Sequence, residues 1–373
     1  MLDVAVEKLS FHYPKSQFLL HELGLLFPKQ THTILAGPGG AGKTTLLRLI
    51  AGELHTRLGI IRIGSREVNA LKASARPLLY VRSDTGLPPR WSAQHILIAA
   101  ARQRAQKEDD FDDRIRQVEL AQEKWDLKAV SHLRSDQLSQ SERCRVQLAR
   151  IEILRPAILM AERLLAGAAA SEADFLADQF YRTLRVIGTT LINEPARLAE
   201  QRYADRMVIL ESGSLIQEGS IREVHDAPQG AVAAAATGPI NLVPIRISSN
   251  RVESPIGGWE VRVAPFQGDG TALIRPEHFV LAAAGESSDF IFSVEEAGFD
   301  RGVWFLSGFI SGGGILRVTI PSEVPIHKGK LLPLRFDPSR ARLVSSFLRT
   351  RQDPFSSVPG AGVGSHGVRP TPL

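Results

Sequence analysis

A single cysteine, Cys144, occurs in 373 residues. That excludes an internal disulfide and any cysteine-rich metal centre. Long apolar runs are missing as well: no stretch approaches the ~18 uninterrupted apolar residues of a membrane-spanning helix. Residues 1–7 read MLDVAVE, without the basic start and apolar core of a secretory leader, so none is expected. No basic run is interleaved with aromatics, and a nucleic-acid partner is not expected. The net charge of +5 is modest for this size and reads as an ordinary solvated surface. These absences together predict a cytoplasmic protein. What remains is 43% hydrophobic and 23% charged, ordinary for a globular chain and long enough for two domains.

Against that plain background stands Gly37-Pro38-Gly39-Gly40-Ala41-Gly42-Lys43-Thr44-Thr45. It fits G-x-x-x-x-G-K-[ST], the loop that wraps a nucleotide's phosphates. Successive backbone N–H groups must turn inward there, and a Cβ at the glycines would block the approach. Lys43 supplies positive charge to the β- and γ-phosphates, and Thr44 a hydroxyl to Mg²⁺. Residues 33–36 read as a buried strand entering the loop and 45–50 as a helix leaving it. The phosphates would therefore also meet a helix N-terminus, where the macrodipole favours anions. A nucleoside triphosphate is the expected ligand. Tyr13 stands about two dozen residues earlier, where its ring would stack on the base or pack in the core; the sequence leaves both open.

The pattern around the loop alternates. Strands are expected at 4–11, 18–20 and 25–27, broken by Pro14, Gly24 and Pro28, then at 59–64 and 76–81. Residues 91–130 read as helical. A helix with a clear start covers 137–150, and Pro156 precedes an apolar strand, 157–160, that runs into Ala161-Glu162. A helix at 172–186, a strand at 189–192, a short helix at 199–204 and a strand at 206–210 follow. Strands alternating with helices indicate an α/β sheet with its ligand at the strands' C-terminal ends.

Over residues 1–225 this order and spacing resemble the ATP-binding subunit of an ABC transporter. Leu138-Ser139-Gln140-Ser141-Glu142-Arg143 stands where the family's LSGGQ-type signature stands, and residues 157–163 stand at its Walker B strand. Tyr203-Ala204-Asp205-Arg206-Met207 and Gly213-Ser214-Leu215-Ile216-Gln217-Glu218-Gly219 match its closing segment. The resemblance implies an ABC-type P-loop NTPase domain with a helical subdomain at about 91–150 that engages membrane permease subunits. It also implies ATP and Mg²⁺ as cofactors, and a homodimer or a heterodimer with a second ATP-binding subunit. The place implied is the cytoplasmic face of the inner membrane.

Several residues that carry the family's chemistry are replaced. Ala161 occupies the place of the Walker B aspartate, and a methyl binds no Mg²⁺. Glu162 stands at the position of the catalytic glutamate; capping a strand end is its other reading. The switch histidine aligns with Pro195, the loop glutamine with the region of Arg82-Ser83-Asp84, and the two signature glycines with Gln140 and Ser141. Residues 166–170 read Ala-Gly-Ala-Ala-Ala where an aspartate is usual. Arg82 is a candidate for compensating positive charge near the γ-phosphate. Ser139 with Glu142 three residues on also forms a plain capping box. ATP binding with slow hydrolysis is the expectation.

Residues 226–240 read as a linker, helical in part. From 241 to 350 short alternating runs divided by Gly, Pro and Asp predict a small all-β barrel or sandwich. Ile274-Arg275-Pro276-Glu277, Gly298-Phe299 and Asn241-Leu242-Val243-Pro244 resemble the TOBE domain of sugar-, iron- and polyamine-type importer ATPases, which implies an OB-like fold. Residues 351–373 lack apolar periodicity and are expected to be disordered. The functional expectation is an ATP-binding subunit of an ABC importer, coupling ATP binding, and hydrolysis if retained or supplied by a partner chain, to solute transport. The alternative is an ATP-sensing regulatory protein outside any transporter.

Overall fold

A computed structural model describes residues 2–14, 18–83, 87–104, 111–283, 285–300, 302–321 and 323–345. Asp84 and the tail at 351–373 lie outside them. The chain opens with strands β1 (Val4–His12), β2 (Phe18–Phe27) and β3 (His32–Ala36), then helix α1 (Lys43–Ala51). Strands β4 (Ile60–Ile63), β5 (Arg66–Glu67) and β6 (Leu79–Arg82) precede helices α2 (Ala93–Arg104), α3 (Phe111–Lys124) and α4 (Gln140–Leu154). Then come β7 (Ile158–Glu162), α5 (Ala173–Ile187), β8 (Thr190–Glu194), β9 (Arg206–Glu211), β10 (Ser214–Gly219), α6 (Ile221–Asp226) and α7 (Ala231–Ala236).

Two sheets share this first domain. A four-stranded antiparallel sheet runs β2-β1-β4-β5, and a six-stranded sheet runs β10-β9-β3-β8-β7-β6. In the larger sheet β9, β3, β8, β7 and β6 are parallel, and only β10 is antiparallel to its neighbour. Parallel strands covered on both faces read as continuous apolar runs: the first four residues of β7 and of β8 are all buried. One core lies between the two sheets and around α1, built from Val6, Phe27, Leu46, Ile50, Met160 and Val208 among others. A second joins α2–α5 to the sheet's other face through Leu97, Trp125, Leu148, Leu159 and Phe180.

The break expected at Gly24 does not occur; β2 is one strand of 10 residues. The pairing is irregular on both strands: the register shifts between Val6 and Leu9, where Lys8 takes φ 46°, and again between Leu9 and Phe11, where Glu22 of β2 takes φ 42°. A glycine inside a strand more often marks such a bulge than an end.

The second domain holds β11 (Asn241–Ser248), β12 (Arg251–Ser254), β13 (Gly257–Glu260), β14 (Gly268–Ile274), β15 (Phe279–Leu281), β16 (Phe290–Asp300), β17 (Val303–Ile310), β18 (Ile315–Pro321), β19 (Leu331–Phe336) and β20 (Arg342–Ser345). They form two five-stranded antiparallel sheets, β13-β12-β11-β14-β20 and β15-β19-β16-β17-β18. Both contribute to one core that includes Val243, Val252, Phe279, Phe292, Val318 and Leu334. Strand β13 is short, with four residues ending at Glu260. Beyond β12, β15 and β20, each of which has three or four residues, the strands follow the alternation read from the sequence.

Helix α7 joins the domains on two faces. Ala233 packs with Ile34, Met207, Ile209 and Val224 of the first domain. Ala234 packs with Ile240 and Leu273 of the second. Arg275, 4% exposed, fastens this junction. Its guanidinium donates to the carbonyls of Ala234 (3.0 Å), Pro239 (3.1 Å) and Gly238 (3.2 Å) and to the Thr237 hydroxyl (2.6 Å). The carbonyls at a helix C-terminus otherwise lack partners.

Candidate phosphate-binding site

The phosphate loop spans the turn from β3, a central strand of the parallel sheet, into α1. Its glycines hold conformations that a side chain rarely adopts: φ is 139° at Gly37, 79° at Gly40 and 95° at Gly42. Space is also short. A Cβ on Gly37 would lie 2.0 Å from the Leu210 carbonyl oxygen, and one on Gly42 would lie 2.5 Å from the Leu20 side chain. Gly39 and Gly40 face open space, and Ala41 is buried. Gly42 is the N-cap of α1 and makes no side-chain cap, and the first turn carries no acidic residue. The N–H groups at this helix start are thus left to an anion.

Lys43 folds back over the loop. Its ammonium donates to the carbonyls of Gly37 (2.9 Å) and Pro38 (3.0 Å) and lies 3.5 Å from Glu194 Oε1. Thr45 is buried, and its hydroxyl stands 3.3 Å from that of Tyr13. The Tyr13 ring meets Phe11 edge-on at 5.0 Å and packs, half-buried, against the core around α1.

Thr44 meets the neighbouring strand. Its hydroxyl donates to Glu162 Oε1 at 2.5 Å, and the Tyr80 hydroxyl donates to Glu162 Oε2 at 2.7 Å. Burial and this carboxylate push the Tyr80 phenol well above its ordinary value, so it stays a donor. Ala161, 1% exposed, points into the core before it. Strand register explains the arrangement. Ala161 pairs with Asn193 and Glu162 with Glu194, so both carboxylates project from the same end of the sheet as the phosphate loop. Asn193, at the family's Walker B level but on the next strand, donates to the Tyr181 hydroxyl at 2.7 Å.

Glu194 is the residue that sequence reasoning passed over, although it stands immediately before Pro195. Burial raises its carboxyl above the usual range, Lys43 opposes that, and Glu162 adds to it. Its Oε2 is buried without a hydrogen-bond partner. The signal that could have found it was its place as the last residue of a parallel strand beside β7.

Arg82 stands at the edge of this group, beside Tyr80. Arg82, in register with Glu162, bonds Glu53 at 3.3 Å, which also pairs with Arg48 at 3.2 Å; its guanidinium lies 5.7 Å from the Tyr80 ring centroid. The signature-like segment opens α4. The Ser139 hydroxyl accepts from the Glu142 N–H (3.2 Å), and Glu142 accepts from the Ser139 N–H (2.7 Å). This is the reciprocal capping box. Leu138 is buried, Gln140 is exposed, and the Ser141 hydroxyl is buried without a partner.

The cradle fits a polyphosphate: the loop leaves room only where glycines stand, and α1 is uncapped. For a divalent ion riding on the phosphates, Thr44 offers a hydroxyl and Glu162 a carboxylate behind it, while Ala161 offers nothing. Among the described residues no helix is long and apolar enough to cross a membrane.

Residues 20–162 match the family described as ABC transporter. An Fe(3+) ions import ATP-binding protein of Agrobacterium fabrum is 28% identical over 280 residues, covering 71% of this chain and 76% of that one. An sn-glycerol-3-phosphate import ATP-binding protein of Jannaschia sp. is 27% identical over 337 residues, covering 89% and 94%. Among solved structures, a dimeric ATP-binding cassette in a post-hydrolysis state with ADP and Pi superposes with a TM-score of 0.52 at 17% identity, over 58% of this chain and 98% of that one. That likeness concerns the fold. The phosphate loop built as described thus sits in a chain whose residues 20–162 match the ABC transporter family and which is similar to ATP-binding subunits of importers.

Proposed function

We propose that this chain is the peripheral nucleotide-binding subunit of an importer, in which ATP binding does the coupling and the chain's own hydrolysis is slow. The observation that carries this is the contrast within one site. The phosphate cradle is complete, yet the strand beside it presents Ala161 at the metal position, and Pro195 follows where a donor to the γ-phosphate would stand.

Hydrolysis needs a bridging metal, an oriented water and donors for the developing charge. A bound Mg²⁺ would neutralise charge between the β- and γ-phosphates. Thr44 and Glu162 are the residues that would hold it. Glu162 reaches the Thr44 hydroxyl, so its side chain takes over the orienting work that a carboxylate at position 161 would do. That engagement, with Tyr80 on its other oxygen, draws it away from service as a general base. Proline at 195 lends no side-chain donor. Each such loss lowers the rate by ~10²–10⁴, not additively.

The relatives named for import of ferric ions and of glycerol phosphate, and the all-β second domain, support import over export. The helices α2 and α3 and the start of α4 are the surface offered to a membrane permease. A second ATP-binding subunit, identical or different, completes the pair. The test is steady-state turnover of the pure chain and of the complex isolated with its permeases. The expected result is turnover by the isolated chain well below the ~10 s⁻¹ of a median enzyme, with nucleotide bound. Ordinary turnover that Lys43→Ala abolishes would overturn this reading.

A further inference from the structure

We propose that the cavity at the junction of the two domains binds a small phosphate-bearing anion, free phosphate or a phosphomonoester, held chiefly by Arg340, Arg342 and His278. This site is separate from the phosphate loop, and it stands whether or not the chain serves import.

The cavity has a volume of about 460 Å³, within the ~300–1,000 Å³ of small-ligand sites. Both domains line it. His225 and Asp226 come from α6, and Arg275, His278, Arg340 and Arg342 come from the second domain. Ile240 and Leu273, both buried, give it an apolar wall. Three guanidiniums and two imidazoles thus share the cavity with one carboxylate. Ala341 between the two outer arginines is extended, with φ −79° and ψ 133°, which sets residues 340 and 342 on one side of the chain.

The bonds around the cavity leave this positive charge standing. Arg275 donates to the carbonyls of Ala234, Gly238 and Pro239 and to the Thr237 hydroxyl. These acceptors satisfy its N–H groups and neutralise nothing. The nearby carboxylates are engaged elsewhere: Asp226 with Arg222 at 3.4 Å, Glu277 with His225 at 3.9 Å and Asp337 with Arg340 at 3.7 Å. Neither Arg275 nor Arg342 has an ion-pair partner among the described residues. The His278 Nδ1 is buried with no hydrogen-bond partner. Burial lowers the proton affinity of this ring, Glu277 opposes that, and Arg340, Arg275 and His225 reinforce it, so the positive field of the cavity reaches the imidazole. In its Nδ1–H tautomer the neutral ring is a donor. What all these groups lack is an anionic acceptor. A guanidinium fork takes two oxygens of one phosphate, and a second fork takes more than a carboxylate can offer. The space beside Ile240 and Leu273 would receive the carbon part of a phosphomonoester.

Calorimetry on the full chain tests this with inorganic phosphate and with glucose 6-phosphate. Wild type, Lys43→Ala and the double variant Arg340→Gln/Arg342→Gln are compared. Both arginines are exposed, so the double variant should fold, and ATP binding at wild-type strength confirms that it has. At least one of the two ligands is expected to bind wild type and Lys43→Ala alike, one per chain. The double variant should lose at least about tenfold in affinity. Tighter binding of the sugar phosphate would identify a phosphomonoester, and equal or weaker binding free phosphate. In wild type alone, saturating ligand should slow amide hydrogen exchange at residues 225–228 and 339–342. Binding that Lys43→Ala abolishes, binding that the double variant keeps in full, or slowed exchange confined to residues 37–45 overturns the proposal. So does a response that sodium chloride of equal ionic strength reproduces. If the chain instead binds no ATP, the functional reading fails and this site is untouched.

Discussion

The Thr44 hydroxyl donates to Glu162 across 118 residues of sequence, which ties the phosphate loop directly to the end of the Walker B strand. In a chain whose strand carries alanine one position earlier, that bond places a carboxylate behind the threonine hydroxyl proposed to meet a metal ion. The longer glutamate side chain, starting one residue later, spans the gap.

Glu162→Gln is therefore expected to reduce the gain in ATP affinity that Mg²⁺ brings, by several-fold, while binding in EDTA stays unchanged. Titrations with and without Mg²⁺ measure both. A variant with the full Mg²⁺ gain would show that Glu162 gives Thr44 no help with the ion.

Lys43→Ala removes charge-assisted bonds worth about 1.5–3 kcal/mol each. Affinity for ATP should fall at least about tenfold, and for ADP as well. Equilibrium dialysis with labelled nucleotide checks it; unchanged binding would mean that the loop holds no phosphate.

Ser139→Ala removes one half of the capping box at α4 and should cost about 1 kcal/mol of stability. ATP affinity of the isolated chain should not change. Urea denaturation and calorimetry read the two quantities separately, and weaker ATP binding with full stability would reverse the assignment.

His32 is buried, and desolvation first, then Arg185, lower its imidazole to about 4 from an ordinary 6.5 against the pull of Asp205. Above 6.5 the ring is neutral whether the chain is folded or not. As pH falls from 6.5 to 4 the unfolded chain takes the proton first, so stability declines by about 3 kcal/mol and then levels. Denaturation midpoints across this window should slope in wild type and flatten in His32→Gln. Equal slopes would assign the acid sensitivity elsewhere.

Much of this was legible in the residues. The phosphate loop announced itself because glycines at φ values above zero leave few alternatives, and the capping box because two short-range bonds suffice to make it. Continuous apolar runs placed β7 and β8, and alternation placed the second domain's longer strands. Glu194 escaped because its significance depends on the register of β8 against β7 and on Lys43 bending toward it, neither of which a single strand records. Tyr80 escaped for the same reason: it reads as one more apolar strand residue until the sheet order brings it beside Glu162. The break expected at Gly24 proved to be bulges at Lys8 and Glu22 on the two paired strands, since local composition names the flexible residue and the pairing decides where the chain yields.

Arg275→Met would test how firmly the two domains are joined. The aliphatic stem is kept and the guanidinium lost, leaving the carbonyls of Ala234, Gly238 and Pro239 without their donor. Stability should fall by about 2–3 kcal/mol, and limited proteolysis should open at residues 231–240. Cleavage no faster than in wild type would mean that packing alone holds the junction.

Because α7 packs against side chains of both domains at once, the second domain is not hung on a loose tether. A tilt of the strands beneath this helix would therefore carry the second domain's β-sheets with it, lever-fashion.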